Sequence, residues 1–331
     1  LVRRLLLDTN LNVINVDKLG YSSDLTGINK TLISSSNIAN RYKFFKADLS
    51  DFENTKRIIH IIDPDIIFHL AAETHVDRSI NDPANFLTSN VISTFNLIEA
   101  SRIFWEKLPE TRKRIFRFHN VSTDEVFGSL GVKNKFSETS SYAPRNPYSA
   151  SKACCDHFVS AWYQTYGLPI SISNCSNNYG PWQFPDKLIP MTIFNALNGE
   201  TIPLYGQGLN IRDWLFVEDH VDALILIAIQ GKAGSQYCIG GSGEKNNLNV
   251  INTICKTIDS INPKSSPHNK LIREVKDRLG HDFRYSIDYE LINKELGWKP
   301  NYNFEEGLDI TIKWYVDNID WCNSMRKRLT K

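Results

Sequence analysis

The sequence carries almost no net charge, no membrane-length apolar run and no paired cysteine motif. Across 331 residues, 38 Lys plus Arg stand against 37 Asp plus Glu, a formal charge of +1. A balance that even gives no overall attraction to nucleic acid or to an anionic membrane. It leaves room for a local basic pocket that takes a small phosphate ester. The longest unbroken apolar run is Ala223–Ile229, far short of the roughly 20 residues a membrane helix needs. The six cysteines, at 154, 155, 175, 238, 255 and 322, form no C-x-x-C pair. Neither a zinc site nor a disulfide framework is therefore expected, and no metal. Scattered thiols suit a reducing compartment. Two arginines interrupt the first apolar cluster and no cleavage pattern follows it, so a cytoplasmic protein is expected. At 41% hydrophobic and 23% charged residues, the chain has the composition of a globular protein and not of a disordered one. The length suggests two domains or one large one.

What is present is an alternation of strand-like and helix-like segments. Strands are predicted at Asn12–Asp17, Tyr42–Ala47, Asp65–Ala72, Ile115–Ser122 and Pro169–Asn174. Helices are predicted at Asp51–Ile62, Asn85–Phe104 and Pro147–Tyr166. This rhythm argues for βαβ units, an α/β doubly wound parallel sheet of the Rossmann-like kind, with ligands past the carboxyl ends of its strands. After Gly180 the rhythm loosens. Shorter elements are predicted around Arg212–Val217, Gln236–Ile239 and Phe283–Asp288, with helices at Glu218–Gln230, Val250–Ser260 and Phe304–Asn318. The expected organisation is a dinucleotide-binding domain over residues 1–180 and a smaller substrate lobe over 181–331, with some return of the chain to the first domain.

Three features carry chemistry. Asp17 ends a strand that follows a helix, where a dinucleotide fold places its ribose-binding acid; a carboxylate there favours NAD over NADP. Its plainer reading is a polar strand end. Tyr148 and Lys152 stand at i,i+4 on a predicted helix and share a face. A nearby ammonium would lower the phenol's pKa from about 10 toward the range of a useful base. A second copy of the spacing, Tyr42 and Lys46, falls in a strand, where i,i+4 spans ~13 Å and the groups do not couple. Ser122-Thr123-Asp124-Glu125 follows a strand directly. Two adjacent carboxylates do separate acid and base work if their environments split their pKa values; the plainer reading is a capping residue and first-turn acids. Gly240-Gly241-Ser242-Gly243 imitates a phosphate loop but lacks its third glycine, and is expected to be a turn.

In order along the chain stand Phe68-His69-Leu70-Ala71-Ala72, His75 through Ile80, Thr123-Asp124-Glu125, Tyr148-x-x-x-Lys152, Asn177 through Pro190, Arg212-Asp213-Trp214 and Asp277-Arg278-Leu279-Gly280-His281. Together they resemble the extended short-chain dehydrogenase/reductase family that acts on nucleotide sugars, and within it the 4,6-dehydratases of dTDP-glucose. The resemblance implies an NAD-dependent hydro-lyase. Tyr148, helped by Lys152, would take the proton of the sugar 4-hydroxyl. Glu125 would remove the proton on carbon 5, Asp124 would protonate the departing 6-hydroxyl, and Thr123 would bond the 4-oxygen. It implies that Asp17, Lys18, Asp48, Leu49, Leu70, Ala71, Ala72, Ser89 and Asn178 touch NAD. It implies further that Thr74, Asn177, Lys187, Leu188, Tyr205, Arg212, Asn247 and His281 hold the nucleotide sugar, dTDP-glucose. Lys187 also reads as a solvated charge, and Arg212 as the partner of Asp213 in a structural turn. The helices 85–104 and 147–166 resemble the pair that forms a homodimer bundle in this superfamily. Leu279 and Ser89 stand where the family pattern usually has Pro and Thr.

One part of the pattern is missing. The glycine-rich loop expected some 20 residues before Asp17 would lie upstream of Leu1. The expectation is a chain lacking its first strand, with weak hold on NAD, since that loop's N–H groups bind the pyrophosphate. Other enzymes of the same fold (further 4,6-dehydratases, 4-epimerases, decarboxylases) and a non-catalytic NAD or nucleotide-sugar binding protein are the alternatives.

Overall fold

The computed structural model describes residues 1–263, 267–277 and 279–328. The chain packs as two compact units. The first comprises Leu1–Ser122, Ala150–Ile172 and Ile227–Ser235; the second comprises Thr123–Ser149, Ser173–Leu226 and Gln236–Lys331. The polypeptide thus passes from one to the other several times.

In the first unit β1 (Val13–Asp17) pairs in parallel with β2 (Tyr42–Lys46), placing Asp17 opposite Lys46. A second sheet sets β3 (Ile66–His69), β4 (Arg117–Thr123) and β5 (Ile170–Cys175) side by side, with β3 and β4 parallel. The helix Phe52–Ile62 starts where the Asp51 carboxylate accepts the Asn54 N–H, and it packs on the helix Ser93–Trp105. The core is shared by strands and helices: Phe118 of β4 and Ile170 of β5 meet Ile59, Ile98 and Val159. Each such side chain contributes about 1.5–3 kcal/mol on burial.

Two predicted elements differ. The expected helix 85–104 is three pieces: Pro83–Phe86, a wide π turn Leu87–Ile92, and Ser93–Trp105. Its start moves upstream because Asp82 caps the Asn85 N–H and Pro83 suits the first helical position. The Ser93 hydroxyl donates to the Thr88 carbonyl at 3.2 Å across the widened turn. The segment Phe283–Asp288 is not a strand. It forms isolated bridges with Leu130, Phe136 and Ile211, because its backbone groups find partners on separate short segments.

The second unit has its own core, in which Tyr179, Ile193, Trp214, Phe216, Ile254 and Leu308 are buried together. Asn177–Tyr179 pairs in parallel with Trp214–Phe216. Gly180 follows with φ +151°, and any side chain there would strike Val217. Gly240–Gly243 bends at Ser242, and its Gly243 N–H donates to Asp213 Oδ1 at 2.9 Å. Among the described residues no helix is long and apolar enough to cross a membrane.

Candidate active site

The Asp124–Glu125 pair stands where β4 stops. The strand end is held by the buried Asp156 carboxylate, which accepts from Asn120 Nδ2 at 2.8 Å and from Ser122 Oγ at 2.7 Å. Beyond it the chain turns into a 3-10 helix, Asp124–Phe127, capped by Thr123, whose Oγ1 accepts the Glu125 N–H at 3.3 Å. The Thr123 carbonyl accepts from Asn174 Nδ2 at 3.1 Å, and Asn174 Oδ1 is in turn held by Gln236 Nε2 at 2.8 Å. Tyr148 enters from the first turn of the helix Pro147–Tyr166. Asn146 caps that helix, its Oδ1 accepting the Ser149 N–H at 2.8 Å. Thr123 hydrogen-bonds the Tyr148 phenol, and Asn146 hydrogen-bonds Glu125. Four of the five expected catalytic side chains, Thr123, Asp124, Glu125 and Tyr148, therefore meet within the second unit.

Their environments split the two acids. Asp124 is 1% exposed, and its Oδ2 has no hydrogen-bond partner among the described residues. Burial, then the neighbouring Glu125 and Asp213 charges, hold its pKa well above the ordinary carboxylate value. Glu125 is half-buried. Burial and Asp282 raise its pKa too, but Arg212, Lys187 and the Asn146 bond oppose them. Both carboxyls are thus raised, Asp124 strongly, while at Glu125 two cations and a hydrogen-bond donor oppose the shift.

The expectation for Tyr148 is overturned. Burial, then the Glu125 and Cys175 charges, push its phenol well above the ordinary value of 10.0, against a lowering bond from Thr123. The ammonium of Lys152, 4% exposed, donates to the Val121 carbonyl at 2.7 Å. The spacing shows a shared helix face; it does not show that the lysine's charge goes to a strand carbonyl while the phenol faces carboxylates.

A family model described as GDP-mannose 4,6 dehydratase matches residues 1–311. The dTDP-glucose 4,6-dehydratase of Salmonella typhimurium is 49% identical over 98% of this chain and 91% of its own. The chain belongs to the dTDP-glucose 4,6-dehydratase family. Among solved structures, the Bacillus anthracis dTDP-glucose 4,6-dehydratase in complex with NAD superposes with a TM-score of 0.81 at 38% identity, covering 95% of this chain and 91% of that one. The Streptomyces venezuelae dTDP-glucose 4,6-dehydratase with NAD and TYD bound gives 0.86 at 35%, covering 98% and 95%. The α/β fold with a parallel, Rossmann-like sheet is the fold of this family.

The other residues singled out from the dehydratase-like pattern fall into two sets. In the first unit, Asp17 ends β1 and its Oδ1 accepts from the Leu19 N–H at 2.6 Å and Ser23 Oγ at 2.9 Å. Lys18 Nζ donates to Ser89 Oγ at 2.8 Å and lies 3.7 Å from Glu73. Asp48, just past β2, is exposed; the Ser50 N–H at 2.9 Å holds its pKa below the ordinary carboxylate value. Leu49 packs against the core, whereas Leu70, Ala71 and Thr74 are exposed and Ala72 half-buried just past β3.

In the second unit, Asn178 is committed inside the fold. Its Nδ2 donates to the Ser176 carbonyl, and its Oδ1 faces His220 Nδ1 at 2.8 Å. Asn177 and Asn247 each keep a buried Oδ1 with no partner among the described residues. Lys187 and Leu188 stand at the start of the helix Leu188–Leu197, and Tyr205 ends the strand Ile202–Tyr205. Arg212 does not pair with Asp213, whose carboxylate accepts the Gly243 and Ile287 N–H groups. Arg212 donates instead to the Ile211, Asp282 and Phe283 carbonyls. His281 Nδ1 meets Asp277 Oδ1 at 2.6 Å; Arg278 of the same motif lies outside the described residues. Sequence reading missed Asn146, Asp282 and Tyr285. An Asn before a Pro-initiated helix is a legible cap signal for the first; the other two carry no local signature.

Proposed function

We propose that this protein dehydrates dTDP-glucose to dTDP-4-dehydro-6-deoxy-glucose, using bound NAD. The observation that carries this reading is the meeting of Thr123, Asp124, Glu125 and Tyr148 with the two acids held in different environments. A 4-epimerase needs no elimination acid, whereas the buried Asp124 beside Glu125 suits that role. Tyr148 accepts the 4-hydroxyl proton, and Thr123 bonds the 4-oxygen. Once carbon 4 is a ketone, the proton on carbon 5 is acidic, and the Glu125 carboxylate removes it. Asp124, whose pKa is raised by burial and the acids beside it, gives its proton to the 6-oxygen, which leaves as water. The phenol's high pKa means that Tyr148 needs positive charge beside it when it acts. NAD held by the first unit would supply the hydride chemistry, taking hydride from carbon 4 and giving it back at carbon 6, while Glu125 returns its proton to carbon 5, so the net reaction is a dehydration.

The first unit suits NAD. Asp17 ends a parallel strand, where a carboxylate accepts from the ribose hydroxyls. Asp48, Lys18, Ser89, Leu49 and the stretch Leu70–Ala72 just past β3 complete that reading. Asn178 contributes by holding its loop, because its side chain is already bonded. Lys187, Arg212 and His281 are the groups suited to the diphosphate, with Thr74, Asn177, Leu188, Tyr205 and Asn247 as further sugar-nucleotide contacts.

A homodimer belongs to this reading. Phe95, Phe158, Trp162 and Tyr166 form a chain of ring contacts across the helices Ser93–Trp105 and Pro147–Tyr166, with Leu87 and Ile92 exposed beside them. An apolar band of that kind is normally covered by a partner. Six cysteines outside any disulfide, five of them buried, suit a cytoplasmic location. The deciding experiment is incubation with dTDP-glucose and NAD. The alkali-absorbing 4-keto sugar is expected; unchanged substrate, or a 4-epimer, would refute the proposal.

A further inference from the structure

The 3-10 helix Asp124–Phe127, which carries both acids, is a single turn of four residues. A segment that short does not hold its own place, because one turn fixes several backbone angles for very few hydrogen bonds. Its position is set from outside, and the second unit supplies contacts at both of its ends. At the start, the Thr123 carbonyl accepts from Nδ2 of the fully buried Asn174 at 3.1 Å. The way the Asn174 amide faces is fixed by the half-buried Gln236, whose Nε2 donates to Asn174 Oδ1 at 2.8 Å. The same nitrogen donates its other hydrogen to the Tyr142 hydroxyl at 3.1 Å. At the end, the Tyr142 ring meets Phe127, the last residue of the turn, edge to face, with centroids 5.3 Å apart. Next to Tyr142, the Ala143 N–H donates to the Val126 carbonyl at 2.9 Å. Gly128, with φ +87°, passes so close to the Ala143 carbonyl that any side chain there would strike it.

We infer that Asn174, Gln236 and Tyr142 are positioning residues, closing a ring of contacts from the Thr123 carbonyl to the Phe127 side chain that sets the turn bearing Asp124 and Glu125 in place. This rests on the proposed dehydration and adds to it what holds the acid and the base in register. Two amides and a phenol do so without a formal charge, so the ring fixes where the carboxyls stand and brings no ion beside them. Gln236 is the junction. Its two N–H groups go to Asn174 and to Tyr142, so removing them opens the ring at both joints.

Gln236→Met keeps the length and bulk of the side chain and removes both donors. It should lower kcat about tenfold, as a small displacement of reacting groups does, with KM for dTDP-glucose and the Kd of dTDP within about twofold of wild type. Tyr142→Phe keeps the ring against Phe127 and loses only the hydroxyl, and should lower kcat about threefold. Because that hydroxyl and Gln236 act through one joint, the double variant Gln236→Met/Tyr142→Phe should be no slower than Gln236→Met alone, whereas independent effects would multiply to about thirtyfold. Should Gln236→Met fold badly, Tyr142→Leu decides at a half-buried position: it removes ring and hydroxyl together and should lower kcat further than Tyr142→Phe, again with dTDP binding kept. Unchanged kcat in Gln236→Met or in Tyr142→Leu, a loss of dTDP affinity that matches the loss of kcat, or multiplying effects in the double variant would overturn the inference. Wild-type protein that yields no keto sugar would overturn the proposed dehydration, and the inference with it.

Discussion

Carboxylates stand at strand ends in both units, and they are treated oppositely. Asp48 follows β2, faces solvent and accepts a backbone N–H that favours its charge. Asp124 follows β4, is buried beside other acids and has its pKa raised well above the ordinary value. The difference lies in water and neighbours, not in the residue type or its place at a strand end. An exposed, ionised acid accepts hydrogen bonds and suits recognition. A buried, neutral acid has a proton to give and suits chemistry.

The comparison breaks most visibly at Glu125. Glu125→Gln keeps shape and hydrogen-bonding capacity but removes the base, and should lower kcat by roughly a hundredfold to ten-thousandfold with nucleotide binding within a few fold, read by steady-state kinetics and calorimetry. Asp124→Asn should cost somewhat less, about a hundredfold in kcat, because an amide still bonds the 6-oxygen without protonating it. In the first unit, Asp17→Ala should weaken NAD about tenfold in a direct titration while sparing kcat at saturating cofactor; a drop in kcat alone would place Asp17 in the chemistry instead.

The smallest effects carry the sharpest sign. Asp124 is raised in the folded state, so folding loses stability as pH rises from its ordinary value of 3.8 toward the raised one. Asp124→Asn should therefore gain in Tm relative to wild type, and the gain should grow with pH over that window. Asp48 is lowered, so its contribution is fully present above 3.8 and is lost as pH falls through the folded value. Asp48→Asn should be slightly less stable at neutral pH, with the deficit closing in acid. The two Tm differences, followed by thermal denaturation across pH, should have opposite slopes.

The strands and the helix 147–166 were legible because period and length agree there: Pro147 suits a first helical position, and Gly167, with φ +72°, marks the end. The Thr123-Asp124-Glu125 turn was legible for the same reason, a strand followed at once by residues that cap. The π turn Leu87–Ile92 was not, because one hydroxyl, on Ser93, and the upstream Asp82 cap set it. Nor was the ionisation of Tyr148. Spacing put a lysine one turn away, while tertiary packing gave that lysine a carbonyl and the phenol two carboxylates. Tyr285 and Asp282 stayed invisible because their contacts with Arg212 join residues 70 or more positions apart in sequence.

The most direct test mixes wild-type protein and Glu125→Gln separately with dTDP-glucose and NAD and follows two signals together, the near-ultraviolet absorbance of NADH and the 4-keto-6-deoxy sugar. The wild type should form the keto sugar with little standing NADH. Glu125→Gln should accumulate NADH on the protein with the 6-oxygen still on the sugar. Normal yield of the keto sugar from Glu125→Gln would contradict the assignment of acid and base on which the account depends.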